Sequence, residues 1–264
     1  MRSLHANKTA AHPTTLTPKP TACIIHESLG HAAEADQIIF GSKPSAFQTL
    51  PSVSDKVTVI DYAYTAFGKP CPLPMYFDDE GTATQDVCII NKGRKDSCMT
   101  DKFTAALMGT TPTGNARSIA PLATNKGTGK GMTNDTNDDT AEGTDDEPMV
   151  RMRNTALLPG DTTPEEMLAS MQDGYHIVDC GNIYGDGQGG FKLEITEAYR
   201  VHGGVICEKI PQCMAIGNMS EFLQSISMVG NDFEWFVDEC TKGDTIQVGQ
   251  GAPTVKARLR LTMT

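Results

Sequence analysis

Apolar and polar side chains alternate most cleanly at the end of the chain, where Val255, Ala257, Leu259, Leu261 and Met263 interleave with Lys256, Arg258, Arg260 and Thr262. That period of two predicts a strand over 254–264 with one buried face. Phe191 to Val201 has strand composition, His202-Gly203-Gly204 supplies a turn, and Val205 to Cys207 reads as the returning strand. Lys56 to Ile60 and Asp86 to Ile90 are β-branched runs bounded by turn residues, and Asn91-Lys92-Gly93 predicts a hairpin after the second. Helices are fewer. Thr163-Pro164-Glu165-Glu166 joins a capping box to a proline at the first helical position, which predicts a short helix to about Met171 that stops at Gly174. A second short helix is predicted over Ser220 to Ser227. Thr21 can cap a longer one through Cys23 to Phe40, CIIHESLGHAAEADQIIF, whose apolar content implies burial and whose one glycine is Gly30. Hairpins beside separate helices, with no internal repeat, predict an α+β domain of predominantly antiparallel β-sheet with a buried helix and a few short ones.

Composition narrows this picture. A chain of 264 residues with 39% hydrophobic side chains can build one large core or two small ones. Its apolar stretches fall well short of the roughly 20 residues of a membrane span, so no membrane partner is expected. Residues 1–20 are polar and rich in Thr and Pro, without the apolar segment of a secretory signal. They read as a disordered leader to a domain at 21–264, and the default location is cytoplasmic. In that compartment the eight cysteines, none in a CxxC pair, are expected as free thiols or metal ligands. A formal net charge of −11 counts against nucleic acid, which needs clustered Lys and Arg. Thr133 to Pro148 holds seven acidic residues and no basic one. It reads as part of a disordered surface insert at about 124–148. A calcium loop is the sharper alternative, but the alternation of an EF-hand is missing.

The segment that carries chemistry is His26-Glu27-Ser28-Leu29-Gly30-His31. Two imidazoles can bind zinc, and a carboxylate beside the first can take a proton from metal-bound water. In the usual zinc-peptidase motif the histidines stand four apart on one helix face; here they stand five apart. A regular α-helix would place them about 140° apart around its axis. A single π-bulge would return both to one side, and Gly30 would tolerate the distortion. The same spacing also fits two histidines on different faces of a buried helix. Elsewhere His5, His12, His176 and His202 are expected at the surface. Asp78, Asp79 and Glu80 are expected in a structural turn, and Gly185 to Gly190 as a loop before a strand, since it lacks the Lys-Ser/Thr ending of a phosphate loop.

HESLGHAAEAD, His26 to Asp36, resembles the metal-binding segment of the TldD/PmbA proteins, peptidases once named as modulators of DNA gyrase. Further segments resemble that family in the same order: Val57 to Thr82 with its FDDEGT core, Leu107 to Ser118, Arg151 to Met167, Glu197 to Ile206 and Ile226 to Phe233. The resemblance implies a third ligand. CTKGDTIQVGQGAPT, Cys240 to Thr254, is similar to a family region that begins with a ligand cysteine, although Thr241 stands where the family usually has Gly. Taken alone, Cys240 reads as a buried thiol, the commonest fate of an unpaired cysteine. Two histidines and a thiolate would leave a fourth tetrahedral position of Zn²⁺ open. The resemblance further implies Glu27 as general base, unfolded or extended peptides as substrates, and a homo- or heterodimer with a TldD/PmbA-type subunit. Family members carry an α+β domain before the metal helix, and this sequence has only unrelated residues there. A non-catalytic partner subunit and a gyrase-modulating binding protein are the alternatives.

Overall fold

The computed structural model describes residues 10–118, 147–186 and 189–263. His5 and the acidic insert up to residue 146 lie outside the described residues. Strand β1 (His12–Leu16) leads into helix α1 (Pro18–Ile24), which continues through a π-helical turn, Ile25–Gly30, and a 3-10 turn, His31–Ala33, to α2 (Ala35–Phe40). Strands β2 (Val59–Tyr62), β3 (Val87–Asn91) and β4 (Arg94–Lys95) and helix α3 (Lys102–Met108) follow. Next come β5 (Asn154–Leu157), α4 (Pro164–Ala169), β6 (Asp173–Gly185), β7 (Gly190–His202), β8 (Val205–Lys209), β9 (Cys213–Asn218) and α5 (Met219–Ser225). The chain closes with β10 (Met228–Val229), β11 (Glu234–Lys242), β12 (Asp244–Ala252) and β13 (Val255–Met263).

Two sheets result. In the first, β1 pairs with both β6 and β13, while β6–β7, β7–β9 and β9–β13 complete a closed barrel of five strands. Closure leaves no edge within the ring. The second sheet runs β11-β12-β5-β2-β3-β4. The predominantly antiparallel sheet expected from the hairpins is a mixed one: β1 runs parallel to β6, and β12 parallel to β5. Neither parallel pair joins neighbours in sequence, so no hairpin signal could announce it. Helix α1 packs against β6 of the barrel and β12 of the second sheet, and Ile24, Ile25 and Leu29 are buried in the core they share.

Residues 12–20, expected within a disordered leader, are built into the fold. Thr14, Thr15 and Leu16 are buried, with β1 inserted between two barrel strands, and α1 already begins at Pro18. Two threonines and a proline carry little local signal, and the pairing partners lie at 175–177 and 255–259. The helix cap moves with it: Thr17 is the N-cap and Pro18 takes the first helical position, whereas the Thr21 hydroxyl donates back to Leu16 O at 3.2 Å and Thr17 O at 3.0 Å. The helix expected through residue 40 is also broken at Glu34, whose backbone is extended (φ −78°, ψ 126°). Elsewhere the capping box of Thr163 and Glu166 is present at the start of α4, and Lys92 and Gly93, with φ of 45° and 76°, form the turn between β3 and β4. Among the described residues, no helix is long and apolar enough to cross a membrane.

Candidate metal centre

The first two donors are brought together by backbone geometry. His31 N–H donates to His26 O, five residues back, so the hydrogen bond that closes the π turn joins the two histidines themselves. The extra residue returns both side chains to one side of the helix. Their ring centroids lie 5.1 Å apart at an interplanar angle of 78°. Gly30 serves this arrangement differently from the expectation. Its backbone is ordinary helix (φ −57°, ψ −56°), so no conformational freedom is required of it. A Cβ there would instead land on the sulfur of Met152, a fully buried core residue.

The third donor arrives on β11. Cys240 is buried, and its Sγ lies 3.2 Å from His31 Nε2. The hairpin of β11 and β12 is held at this end by Arg151, a fully buried side chain whose guanidinium donates to the carbonyls of Cys240, Lys242 and Asp244. One atom from each of His26, His31 and Cys240 falls within 4.8 Å of the others. A tetrahedral zinc with ordinary Zn–S and Zn–N bonds separates its sulfur and nitrogen donors by about 3.5 Å. The 3.2 Å between Cys240 Sγ and His31 Nε2 is close to that edge. Among the described residues His26 Nδ1, which is buried, finds no hydrogen-bond partner, an expensive state for an imidazole nitrogen unless something else satisfies the ring. Two imidazoles and a thiol form a donor set that suits zinc better than magnesium or calcium, so the residues present fit the ion.

The electrostatics agree with the geometry. Burial works against ionising Cys240, but hydrogen bonds and charge from His26 and His31 outweigh it and bring the thiol down to about 5. Burial likewise opposes charge on His31, and the Glu34 carboxylate and Cys240 override it, raising the ring to about 10. The cluster therefore favours a thiolate, the ligand form of cysteine.

Glu27 stands beside this group, its Oε2 3.8 Å from His31 Nε2 and its side chain 26% exposed. It lines an open cavity with Ser28, His31, Gln37, Gly185 and Gly190. Gly185, Gly189 and Gly190 of the glycine-rich segment thus line the site, a role that its sequence did not announce. A Cβ on Gly185 would meet Glu27 Oε1 at 2.8 Å, so the close approach of backbone to carboxylate requires the missing side chain.

Other candidates lie elsewhere. Asp78 accepts from the backbone N–H groups of Glu80, Thr82 and Ala116, which is the chemistry of a turn. His202 is exposed and bonded to Asp173 at 2.8 Å, and the His12 ring packs edge-on against Tyr175. His176 departs from the surface expectation: it is half-buried in the barrel and its Nδ1 lies 2.9 Å from Thr15 Oγ1. All eight cysteines are free.

The profile described as "PmbA/TldA metallopeptidase C-terminal domain" matches residues 9–260. A zinc metalloprotease TldD homolog of Saccharolobus solfataricus is 30% identical over 252 residues, which are 95% of this chain and 51% of that protein. A metalloprotease of Methanothermobacter thermautotrophicus is 31% identical over 245 residues, 91% of this chain and 48% of the relative. The chain thus spans about half the length of the curated relatives it matches. Among solved structures, TldE from Thermococcus kodakarensis has a TM-score of 0.66 at 18% identity, covering 96% of this chain and 50% of the other. A Thermotoga maritima protein called a candidate modulator of a DNA gyrase has the same TM-score at 19% identity and the same coverage. At such identities the likeness is one of fold.

Proposed function

This chain belongs to the PmbA/TldA metallopeptidase family, and on that premise we propose that it is a zinc-dependent peptidase module in which His26, His31 and Cys240 hold the ion and Glu27 moves the proton. The observation that carries the reading is the convergence of three ligand atoms within 4.8 Å, with the Glu27 carboxylate 3.8 Å from His31 Nε2 on the cavity side. Bound zinc would supply Lewis acidity, making a water more acidic and polarising a scissile carbonyl. Glu27 accepts a proton from the attacking water and later returns it to the leaving amine, a task for which a partly exposed carboxylate suffices. Gly185 brings its own backbone close against Glu27 and so helps to keep the carboxylate beside His31. An extended or unfolded peptide is the substrate proposed here, because backbone recognition tolerates varied sequences. A dimer with a second TldD/PmbA-type subunit, in the cytoplasm, completes the proposal.

The intact donor set favours this reading over a metal-free partner subunit, and the net charge of −11 gives no support to a nucleic-acid partner. The test is zinc content by elemental analysis of the wild type, His31→Ala and Cys240→Ala, followed by peptide cleavage with wild type and Glu27→Gln. About one zinc per chain, lost in both ligand variants, and cleavage lost in Glu27→Gln with zinc retained, are the expected results. A folded wild type without zinc would sink the enzymatic reading.

A further inference from the structure

Two residues outside the donor set complete a chain of contacts behind it. Glu34 is fully buried and sits at the helix break three residues after His31. Its Oε2 lies 3.1 Å from His31 Nδ1 and accepts a hydrogen bond from Lys242 Nζ at 2.8 Å, while its Oε1 has no partner among the described residues. Lys242 in turn donates to Asp36 and to Val150 O. It follows Cys240 by two residues on β11, so the two side chains project to the same face of the strand. The helical segment thus delivers one donor and one carboxylate, and the strand delivers one donor and one cation. Each donor's neighbour grips the neighbour of the other.

We propose that Glu34, held by Lys242, is a positioning residue for His31: it accepts from Nδ1–H and so leaves Nε2 as the nitrogen available to the ion, on the side of Cys240 Sγ and Glu27. The inference rests on the metal-binding reading of the same site. An imidazole has two nitrogens and can present either to an ion, and the hydrogen bond made by one decides which is left for the other. His31 Nε2 is already the atom 3.2 Å from Cys240 Sγ. A carboxylate on Nδ1 fixes that tautomer, restrains ring rotation and raises ligand basicity. Lys242 has a second consequence. By tying Glu34 to the strand of Cys240, it makes the docking of β11 on the helical segment and the orientation of His31 one event.

The experiment compares Zn²⁺ affinity, by competition with a chromophoric chelator, and the ligand-field bands of the Co²⁺ form in the whole chain for wild type, Glu34→Gln, Lys242→Met and Lys242→Arg. Glutamine keeps the shape of Glu34, but half of its amide donates, and its oxygen carries no charge for Lys242. Glu34→Gln is expected to weaken zinc by about 10- to 100-fold and to shift the cobalt bands. Lys242→Met acts in the same direction, Lys242→Arg restores much of the loss, and the effects of Glu34→Gln and Lys242→Met are less than additive in the double variant. A merely structural contribution would lower thermal stability and leave the bands in place. Wild-type affinity and wild-type bands in Glu34→Gln and Lys242→Met, with zinc bound by the wild type, would overturn this inference alone. A wild type that takes up no zinc would overturn the metal reading together with it. If Glu34→Gln does not fold, folded Lys242→Met decides: a tenfold loss supports the proposal and wild-type binding overturns it.

Discussion

Gly30 offers a prediction in which two known effects have opposite signs. Its φ and ψ are helical, so on backbone grounds alone Gly30→Ala should stabilise the protein by about 0.5–1 kcal/mol. The surroundings argue the reverse. The new Cβ would coincide with the Met152 sulfur and come within 3.1 Å of its terminal methyl, and Met152 is fully buried. Overpacking of a close-packed core costs about 1–3 kcal/mol. A flexible thioether can give way in part, so a net loss of about 1–2 kcal/mol is expected, or a fall in melting temperature of about 2–8 °C for a chain of this size. Because Gly30 lies inside the turn that sets His26 over His31, the strain should also weaken zinc uptake. The assay is thermal and urea unfolding of Gly30→Ala, Met152→Leu and the double variant, with zinc content measured on each. Leucine removes the sulfur that the methyl strikes, so the double variant should lose less than the sum of the single losses. A Gly30→Ala protein as stable as the wild type, with its zinc intact, would show that Met152 does not set the identity of this residue.

Arg151→Gln should destabilise the protein by about 3 kcal/mol or more, because a charged donor to three carbonyls is lost. It should also lower zinc content, since the hairpin end that presents Cys240 is released; unfolding and elemental analysis check both. Asp61→Asn leaves the buried Arg153 guanidinium without the carboxylate that it meets at 2.9 Å, and a loss of about 3–5 kcal/mol is expected in urea unfolding. In the metal-free chain, the ultraviolet thiolate absorbance that separates wild type from Cys240→Ser should persist as pH falls until about 5. The sign follows from linkage: a depressed thiol stabilises the fold above its unfolded value and loses that contribution as pH falls through its folded value. The raised His31 does the opposite and loses its contribution as pH rises through about 10. The thiolate–imidazolium pair is therefore complete between about 5 and 10, and a difference spectrum that vanished already at neutral pH would refute it.

The sequence was most legible where the signal is local. The capping box at Thr163, the Lys92-Gly93 turn and the alternation from Val255 onward each depend on a few neighbouring residues, and each appears in the structure within a few residues of its expected bounds. The π turn was legible as one of two readings: histidines five apart share a side only if the helix gains a residue, and otherwise lie on different faces. Partners distant in sequence were hidden. β1 has two buried threonines and no apolar alternation, so nothing marked it as barrel until its two neighbours were known. Glu34 and Lys242 read as ordinary charges in their own segments, and they become a pair only when β11 lies against the helix. The glycine loop was seen but taken for a connection, because its purpose is a distance to Glu27 that no spacing records.

The closed barrel also sets an order of events for the growing chain. His26 and His31 are made before Cys240, on a helix whose leading strand, β1, pairs His12 with Leu259 and Thr14 with Ala257. Cys240 follows His31 by 209 residues. Contacts so distant in sequence form slowly and late. The two histidines therefore leave the ribosome long before either their thiolate or the strand that fixes their helix exists. A metal ion that met the nascent segment would find two of the three donors on an unanchored helix, so stable loading would follow closure of the barrel.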